Sequence, residues 1–438
     1  MLSRRAFVGA STATVLGAAY RAALPDPLGA LTVPEVSSES PQELPPSIAA
    51  LHSMRDRARP ITVEERRGRL EKARRLMREH SMQALVLTGG TSLEYYSNIS
   101  WGLSERLLAL VVPASGKPFI VSPAFEEARA REQLEAGPFE AGSPVYTWQE
   151  DENPYRLVSS GLRQLGIATG RLGIEETVRF VFSNGIAREA PALDLVSATP
   201  VTAGCRGVKD EHELELMQLA NRVTLKAYEA AYRALEEGMT QDGFARLVRL
   251  AHQRLGFAGG AGVQVGEFSA LPHGSITPQV VREGTILLID GGCSVEGYRS
   301  DISRTFVLGR ATDKMKRVFE IEHRAQSAAL AAAGPGVECQ AVDAAARQVI
   351  AEAGYGPDYR YFSHRVGHGI GMDGHEWPYL VRGNTLAMRP GMTFSDEPGI
   401  YIRGEFGVRL EDDMVITEEG ARLFTPQSPS LEEPFATV

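Results

Sequence analysis

The spacing of apolar positions changes several times along the chain, and each change marks an element. Thr62 followed by Glu65 has the form of a capping box, and helical spacing continues from it to about Glu79. Short apolar runs then alternate with helical stretches. Residues 84–88, 107–112, 118–122 and 171–175 read as strands, and residues near 124–135 and 154–165 as helices. This alternation predicts a layered α/β domain reaching to about Ala203. From Val208 the texture changes. Lys209 to Gly238 is a long charged helical pattern ending at a glycine, and its Leu214, Met217, Leu225, Tyr228 and Leu235 fall at helical spacing. Met217 and Tyr228 are read as core. Gln241 to Leu255 is a second helix, and further helices are expected at about 313–333 and 339–353.

Between Gly284 and Gly309 the period becomes that of a β-hairpin. Runs rich in β-branched residues, Thr285 to Asp290 and Arg299 to Leu308, flank a segment containing Gly291, Gly292 and Gly297. With the turn centred between Val295 and Glu296, Asp290 faces Asp301. Opposed side chains on one face lie about 4.5 to 5.5 Å apart at Cβ, so two carboxylates there repel unless a cation lies between them. The run Leu287-Leu288-Ile289-Asp290 also ends an apolar strand in an ionisable group, where an unpaired charge is costly.

Length and composition limit the possibilities. A chain of 438 residues predicts two or three domains, and 43% hydrophobic residues suffice for large cores. A net charge of -9 gives no footprint for nucleic acid. No segment approaches the roughly 18 uninterrupted apolar residues of a membrane span. Three cysteines, Cys205, Cys293 and Cys339, are too scattered for a Cys-x-x-Cys motif.

At the N-terminus, Ser3-Arg4-Arg5-Ala6-Phe7-Val8 precedes a mild Ala- and Gly-rich stretch. It resembles a twin-arginine export signal, which implies a periplasmic or extracellular protein exported already folded, or a cytoplasmic one if the signal does not function. Prolines recur from Pro25 to Pro60, reading as a tether or an arm lying over a partner subunit. The expected organisation is a signal segment over 1–24, the arm over 25–60, an α/β domain over 61–205 and a second domain over 206–438.

The second domain holds the chemistry-bearing phrases. Leu271-Pro272-His273-Gly274 lies in a Gly-rich segment. Ser363-His364-Arg365-Val366-Gly367-His368-Gly369 runs on to His375-Glu376-Trp377-Pro378, so three of the nine histidines fall within a dozen residues, among glycines that permit close backbone approach. Glu397 precedes a Pro-Gly turn, and the alternating segment from Gly407 places Arg409 and Glu411 on one face.

In this order and within these phrases, Asp290, Asp301, His368, Glu397 and Glu411 resemble the five-ligand signature of the pita-bread metallopeptidases. That family includes methionine aminopeptidase, aminopeptidase P and Xaa-Pro dipeptidase. The resemblance covers roughly residues 208–425, and the preceding domain is similar to that of the creatinase, prolidase and aminopeptidase P branch. The fold class implied is α/β and α+β, a layered creatinase-like N-terminal domain followed by a C-terminal pita-bread domain.

Four carboxylates and one imidazole carry about four negative charges, which two divalent cations neutralise, and an oxygen-rich set suits Mn2+, with Co2+ or Zn2+ as alternatives. The resemblance implies that Asp290 holds one ion, His368 and Glu397 the other, and that Asp301 and Glu411 bridge both. It also implies that Glu397 is the general base, that His273 and His375 contact the substrate and stabilise the tetrahedral intermediate, and that Arg409 braces the carboxylates. His364 is a candidate for substrate contact. The implied reaction is hydrolysis of the imido bond in Xaa-Pro dipeptides, with longer Xaa-Pro-Xaa peptides as the alternative and a homodimer as the expected assembly. Some prolidases carry a carboxylate-clamping arginine after the His-Glu-x-Pro phrase. Here that position is Tyr379 and the nearest arginine is Arg382, a second substrate-binding candidate. A silent binding module or a metal-free creatinase-like hydrolase would lack ligands, and all five are present.

Overall fold

The computed structural model describes residues 43–139 and 142–438. The first domain is a six-stranded sheet in the order β4-β3-β2-β1-β5-β6. Its strands are β1 (Met82–Leu87), β2 (Ala109–Pro113), β3 (Phe119–Pro123), β4 (Val145–Trp148), β5 (Gly170–Ile174) and β6 (Leu193–Ser197). Strands β1, β5 and β6 run parallel, and β2 is antiparallel to both β1 and β3.

Ahead of this sheet, α1 (Pro46–Ala49) is followed by α2 (Val63–Glu79), which carries the expected Thr62/Glu65 capping box. Helices α3 (Thr91–Ser97), α4 (Glu127–Glu135), α5 (Pro154–Gln164), α6 (Phe180–Glu189) and α7 (Thr199–Arg206) complete the domain. The pattern reading omitted β4, β6, α3, α6 and α7.

The proline-rich segment differs from the expected tether where it is described. Ser47 donates to Ala230 O at 2.7 Å, Met54 N donates to Leu255 O at 2.9 Å, and Ile48 and Met54 are buried. From Leu44 onward the chain therefore packs on its own helices. The twin-arginine-like stretch and residues 25–42 lie outside the described residues.

The second domain begins with α8 (Glu211–Tyr232), capped by a box between Asp210 and Glu213, and α9 (Gln241–Leu255), ended by Gly256 in the left-handed region. The first of these stops at Tyr232, short of the expected Gly238. Both cover a sheet of β7 (Gly259–Val265), β8 (Ile286–Val295), β9 (Tyr298–Arg299) and β10 (Ile302–Val307), ordered β10-β8-β7 with β9 on β8. Helices α10 (Asp313–Ala332) and α11 (Cys339–Ile350) follow.

The remaining strands are β11 (Gly367–Gly369), β12 (Glu376–Leu380), β13 (Thr393–Asp396), β14 (Gly399–Ile402), β15 (Phe406–Arg409), β16 (Asp412–Ile416) and β17 (Ala421–Leu423). They form a sheet in the order β12-β11-β13-β16-β17 and a β14-β15 hairpin. Met217 and Tyr228 lie in the core, both fully buried.

The β8–β10 hairpin forms with a corrected register. Asp290 faces Ser303, not Asp301. The turn is the pair Glu296 and Gly297, with φ of 50° and 87°, which gives the tight two-residue geometry whose twist suits a hairpin. Because the displacement is an even number of residues, every side chain keeps its face. Asp301 thus remains on the same side as Asp290, one diagonal away. An added Cβ at Gly292 would lie 1.8 Å from Ser300 O, so glycine is what lets the strands pass there.

Candidate active site

Five acidic or imidazole groups meet in one cavity of about 400 Å³. Asp290 comes from β8, Asp301 from the residue before β10, His368 from β11, Glu397 from the end of β13 and Glu411 from the link between β15 and β16. Ligand atoms of Asp290, Asp301 and Glu411 lie within 4.8 Å of one another, as do those of His368, Glu397 and Glu411, and those of Asp301, His368 and His375. Glu411 thus belongs to two groups, and Asp301 joins the same two sides. The expected convergence is observed.

The glycines around His368 are what place it there. A Cβ at Gly367 would lie 2.1 Å from Ser395 O, and one at Gly369 would lie 2.6 Å from Glu376 O. Only glycine lets β11 fit between β12 and β13. His368 Nδ1 bonds Gly369 O at 3.1 Å, which leaves Nε2 facing Glu397 Oε1, also at 3.1 Å.

Electrostatics mark this as a site of uncompensated charge. Burial, then the neighbouring Asp290, pushes Asp301 far above the usual carboxylate range, and burial, then Asp301 and Glu397, does the same to Glu411. Burial also opposes ionisation of Glu397, but the His368 hydrogen bond, with His368, His364 and Arg409 charge, holds it at about 2. Burial lowers His368, yet Glu397 outweighs this and raises it. A carboxylate-rich set strained in this way fits divalent cations, and the two overlapping groups offer room for two.

Around the acids lies a frame of which the sequence reading named Arg409 but not Ser303, Asp413 or Asn221. Arg409 Nη2 pairs with Asp290 Oδ2 at 2.7 Å, and its Nε donates to Ser303 Oγ at 2.9 Å. Its Nη1 reaches Pro272 O and Tyr401 OH, both at 3.1 Å, tying down the segment that carries His273. Asp413 accepts from Asp301 N at 3.0 Å and from Asn221 Nδ2 at 2.9 Å, and burial pushes Asp413 up to about 7. The signal for Ser303 was the run Ser303-Arg304-Thr305, three polar residues on a fully buried strand.

His273, His364 and His375 all line the cavity, as expected. His375 stacks on His368 with ring centroids 3.8 Å apart. His364 Nε2 meets Tyr401 OH at 2.7 Å while Nδ1 bonds Arg365 O at 2.8 Å, and burial lowers its pKa against the opposing pull of Glu397.

Arg382 is a correction. Its side chain is exposed, pairs with Asp358 at 2.9 Å and faces a different cavity. The arginine that lines the site besides Arg409 is Arg365. Its guanidinium carbon lies 4.1 Å from the centre of the Tyr379 ring, and Nη2 lies 3.3 Å from His375 Nδ1. Tyr379, found where some prolidases have an arginine, is thus the platform for an arginine from elsewhere.

Residues 215–418 match metallopeptidase family M24, and residues 69–208 match the creatinase/prolidase N-terminal domain. The chain is 37% identical over 343 residues to a probable dipeptidase PepE of Mycobacterium tuberculosis, covering 78% of this chain and 89% of that one. It is 31% identical over 375 residues to an Xaa-Pro dipeptidase of Lactobacillus helveticus, covering 83% and 98%. Among solved structures it is similar to dipeptidase PepE of Mycobacterium ulcerans, with TM-score 0.79, 34% identity and coverage of 85% of this chain and 99% of that one. It is also similar to the prolidase of Thermococcus sibiricus, with TM-score 0.75, 27% identity and coverage of 84% and 98%. With its site geometry and both domains accounted for, this chain belongs to metallopeptidase family M24 and carries the creatinase/prolidase N-terminal domain ahead of its peptidase domain.

Proposed function

We propose that this metallopeptidase hydrolyses Xaa-Pro bonds, with dipeptides as its first substrates. The observation that carries the reading is the cavity itself, lined by five ligand-type groups and by Arg365, whose guanidinium lies beside His375. A cation in the same cavity as the ligand set suits a substrate whose free carboxylate lies one proline beyond the scissile carbonyl. The imido nitrogen of such a bond has no N–H, so polarisation of the carbonyl matters more than recognition of an amide hydrogen.

Asp290, Asp301, His368, Glu397 and Glu411 would hold two divalent cations, Mn2+ by preference for an oxygen-rich set. When bound, such ions supply Lewis acidity toward the carbonyl and lower the pKa of water. The protein's own groups do the rest. Glu397 takes the proton of the attacking water and delivers it to the proline nitrogen as the C–N bond breaks. His273 and His375 face the cavity as donors for the oxyanion. Arg365 pairs with the carboxylate of proline, and Arg409 keeps Asp290 and Ser303 in place. Export through a twin-arginine route and a homodimeric assembly complete the proposal, resting on Arg4-Arg5 and on the family resemblance.

The test is proline release from Ala-Pro and chain shortening of Ala-Pro-Ala, each before and after chelation. Chelator-sensitive cleavage of Ala-Pro is expected. Preference for the tripeptide would favour an aminopeptidase P-like activity, and undiminished cleavage by chelated protein would overturn the metal assignment.

A further inference from the structure

A second cavity, of about 220 Å³, opens between the two domains; it shares His375 with the active-site cavity, and its Tyr379 carries the active-site Arg365 on its ring. Its other walls come from the loops after β1 and β5 and from the end of α7. The cations on this side are already engaged. Arg206 is held by Asp373 at 2.5 Å and by Glu376, and Lys209 is held by Glu376 at 2.6 Å.

Two acids remain beside them. Glu175 is 5% exposed and its Oε2 has no hydrogen-bond partner; burial raises its pKa, opposed by hydrogen bonds from Ser92 and Thr177 and by the charge of Arg206, so a cation bound at Oε2 would further favour the ionised form. Thr88 Oγ1, 2% exposed on the same loop after β1, also lacks a partner. Glu176 lines the cavity as well and is met by Thr199 Oγ1 at 3.2 Å. A buried carboxylate oxygen left unsatisfied beside a cavity is costly unless something supplies a donor.

Resting on the Xaa-Pro reading above, we propose that this interdomain cavity is the subsite for the side chain of the residue preceding proline, and that Glu175 selects a lysine or arginine there. Three observations converge on this. The cavity starts one imidazole away from the ligand set, because the His375 ring lies against that of His368. That distance suits a side chain adjoining the scissile bond, and the proline ring is too short and too constrained to reach. The volume fits one long side chain rather than a further stretch of peptide. The apolar Trp377 and Leu103, both lining the cavity, suit the methylene stem of lysine or arginine, while Glu175 receives its charged end.

The experiment uses the metal-loaded full chain and compares Lys-Pro with Met-Pro, side chains of similar length that differ in charge. Wild type should favour Lys-Pro by about tenfold in kcat/KM, as one charge-assisted contact supplies. Glu175→Gln should abolish that preference through the KM of Lys-Pro, with Met-Pro cleavage unchanged. Leu103 is 68% exposed and sits at the rim, so its replacement does not threaten folding. Leu103→Lys should lower the Lys-Pro to Met-Pro ratio, and Leu103→Glu should not. An unchanged ratio in Glu175→Gln, or in Leu103→Lys should Glu175→Gln not fold, overturns the subsite. Failure of wild type to cleave either dipeptide overturns instead the Xaa-Pro reading on which it rests.

Discussion

Ser303 stands directly across the hairpin from Asp290, and its hydroxyl lies 3.1 Å from Asp290 Oδ1 and 2.6 Å from Glu411 Oε2. With Arg409 Nε donating to the same oxygen, one small side chain links three charged groups. A hydroxyl has a single proton, and the shorter distance assigns it to Glu411. Ser303→Ala should therefore leave the fold intact but weaken metal binding by about 10- to 100-fold, the usual effect of losing a group that orients ligands. Metal titration of the apo variant checks this, and wild-type affinity would remove Ser303 from the site's support.

Arg365, not Arg382, should control recognition of the dipeptide carboxylate. Arg365→Ala should raise KM for Ala-Pro by at least about tenfold, in keeping with the loss of a charge-assisted pair. Arg365→Lys should recover part of the loss, because a cation returns without the planar stacking on Tyr379. Arg382→Ala should change nothing measurable, since its partner Asp358 is on the surface. The sharper control is Ala-Pro amide, which lacks the carboxylate and should be insensitive to Arg365.

These two residues show where sequence reading succeeds and where it stops. The five ligand-type residues were legible because each interrupts a distinct local pattern. Asp290 ends an apolar run, His368 sits between glycines and Glu397 precedes a Pro-Gly turn. Arg365 was hidden, since its place depends on Tyr379, fourteen positions later, and on the pairing of His368 with Tyr379 across β11 and β12. Ser303 was hidden for a related reason. The expected turn was one position early, so Asp301 occupied its place opposite Asp290, and only the φ values of Glu296 and Gly297 correct that. Glu175 follows a strand as many solvated glutamates do, and nothing local signals its burial.

His252 gives a pH dependence separate from catalysis. It is fully buried, Nδ1 bonds Val248 O at 2.8 Å, and burial lowers its pKa to about 4 from 6.5, opposed by that hydrogen bond. The folded state therefore binds a proton less readily than the unfolded chain. Stability is full above pH 6.5, falls as pH drops toward 4 and levels off below that. The shift corresponds to about 3 kcal/mol at most. Urea melts at pH 7.5 and pH 5 should show the loss in wild type and a smaller loss in His252→Gln. Equal losses would assign the acid sensitivity to other groups.

Export is tested by Arg4→Lys combined with Arg5→Lys. The doubly substituted chain should accumulate in the cytoplasm with its peptidase activity intact, as the change lies far from the ligand phrases in sequence. Unaltered fractionation would show that the pair is not a signal.

Metal removal should be felt as stability as well as activity, and the sign follows from the acids. Asp301 and Glu411 have pKa values raised well above 3.8 and 4.5, by burial first and by neighbouring carboxylates second. For such groups the folded apo state is penalised as pH rises above the ordinary carboxylate values, and the penalty grows until the folded pKa is passed. A divalent cation replaces the protons these acids would otherwise retain, so metal and protons compete for one site. The difference in Tm between Mn2+-loaded and chelated protein should therefore widen from pH 5 to pH 8. Calorimetric titration with Mn2+ in buffers of different ionisation enthalpy should also reveal proton release. A Tm difference that stays constant with pH, together with no proton release, would mean that these carboxyls are already ionised before the metal arrives.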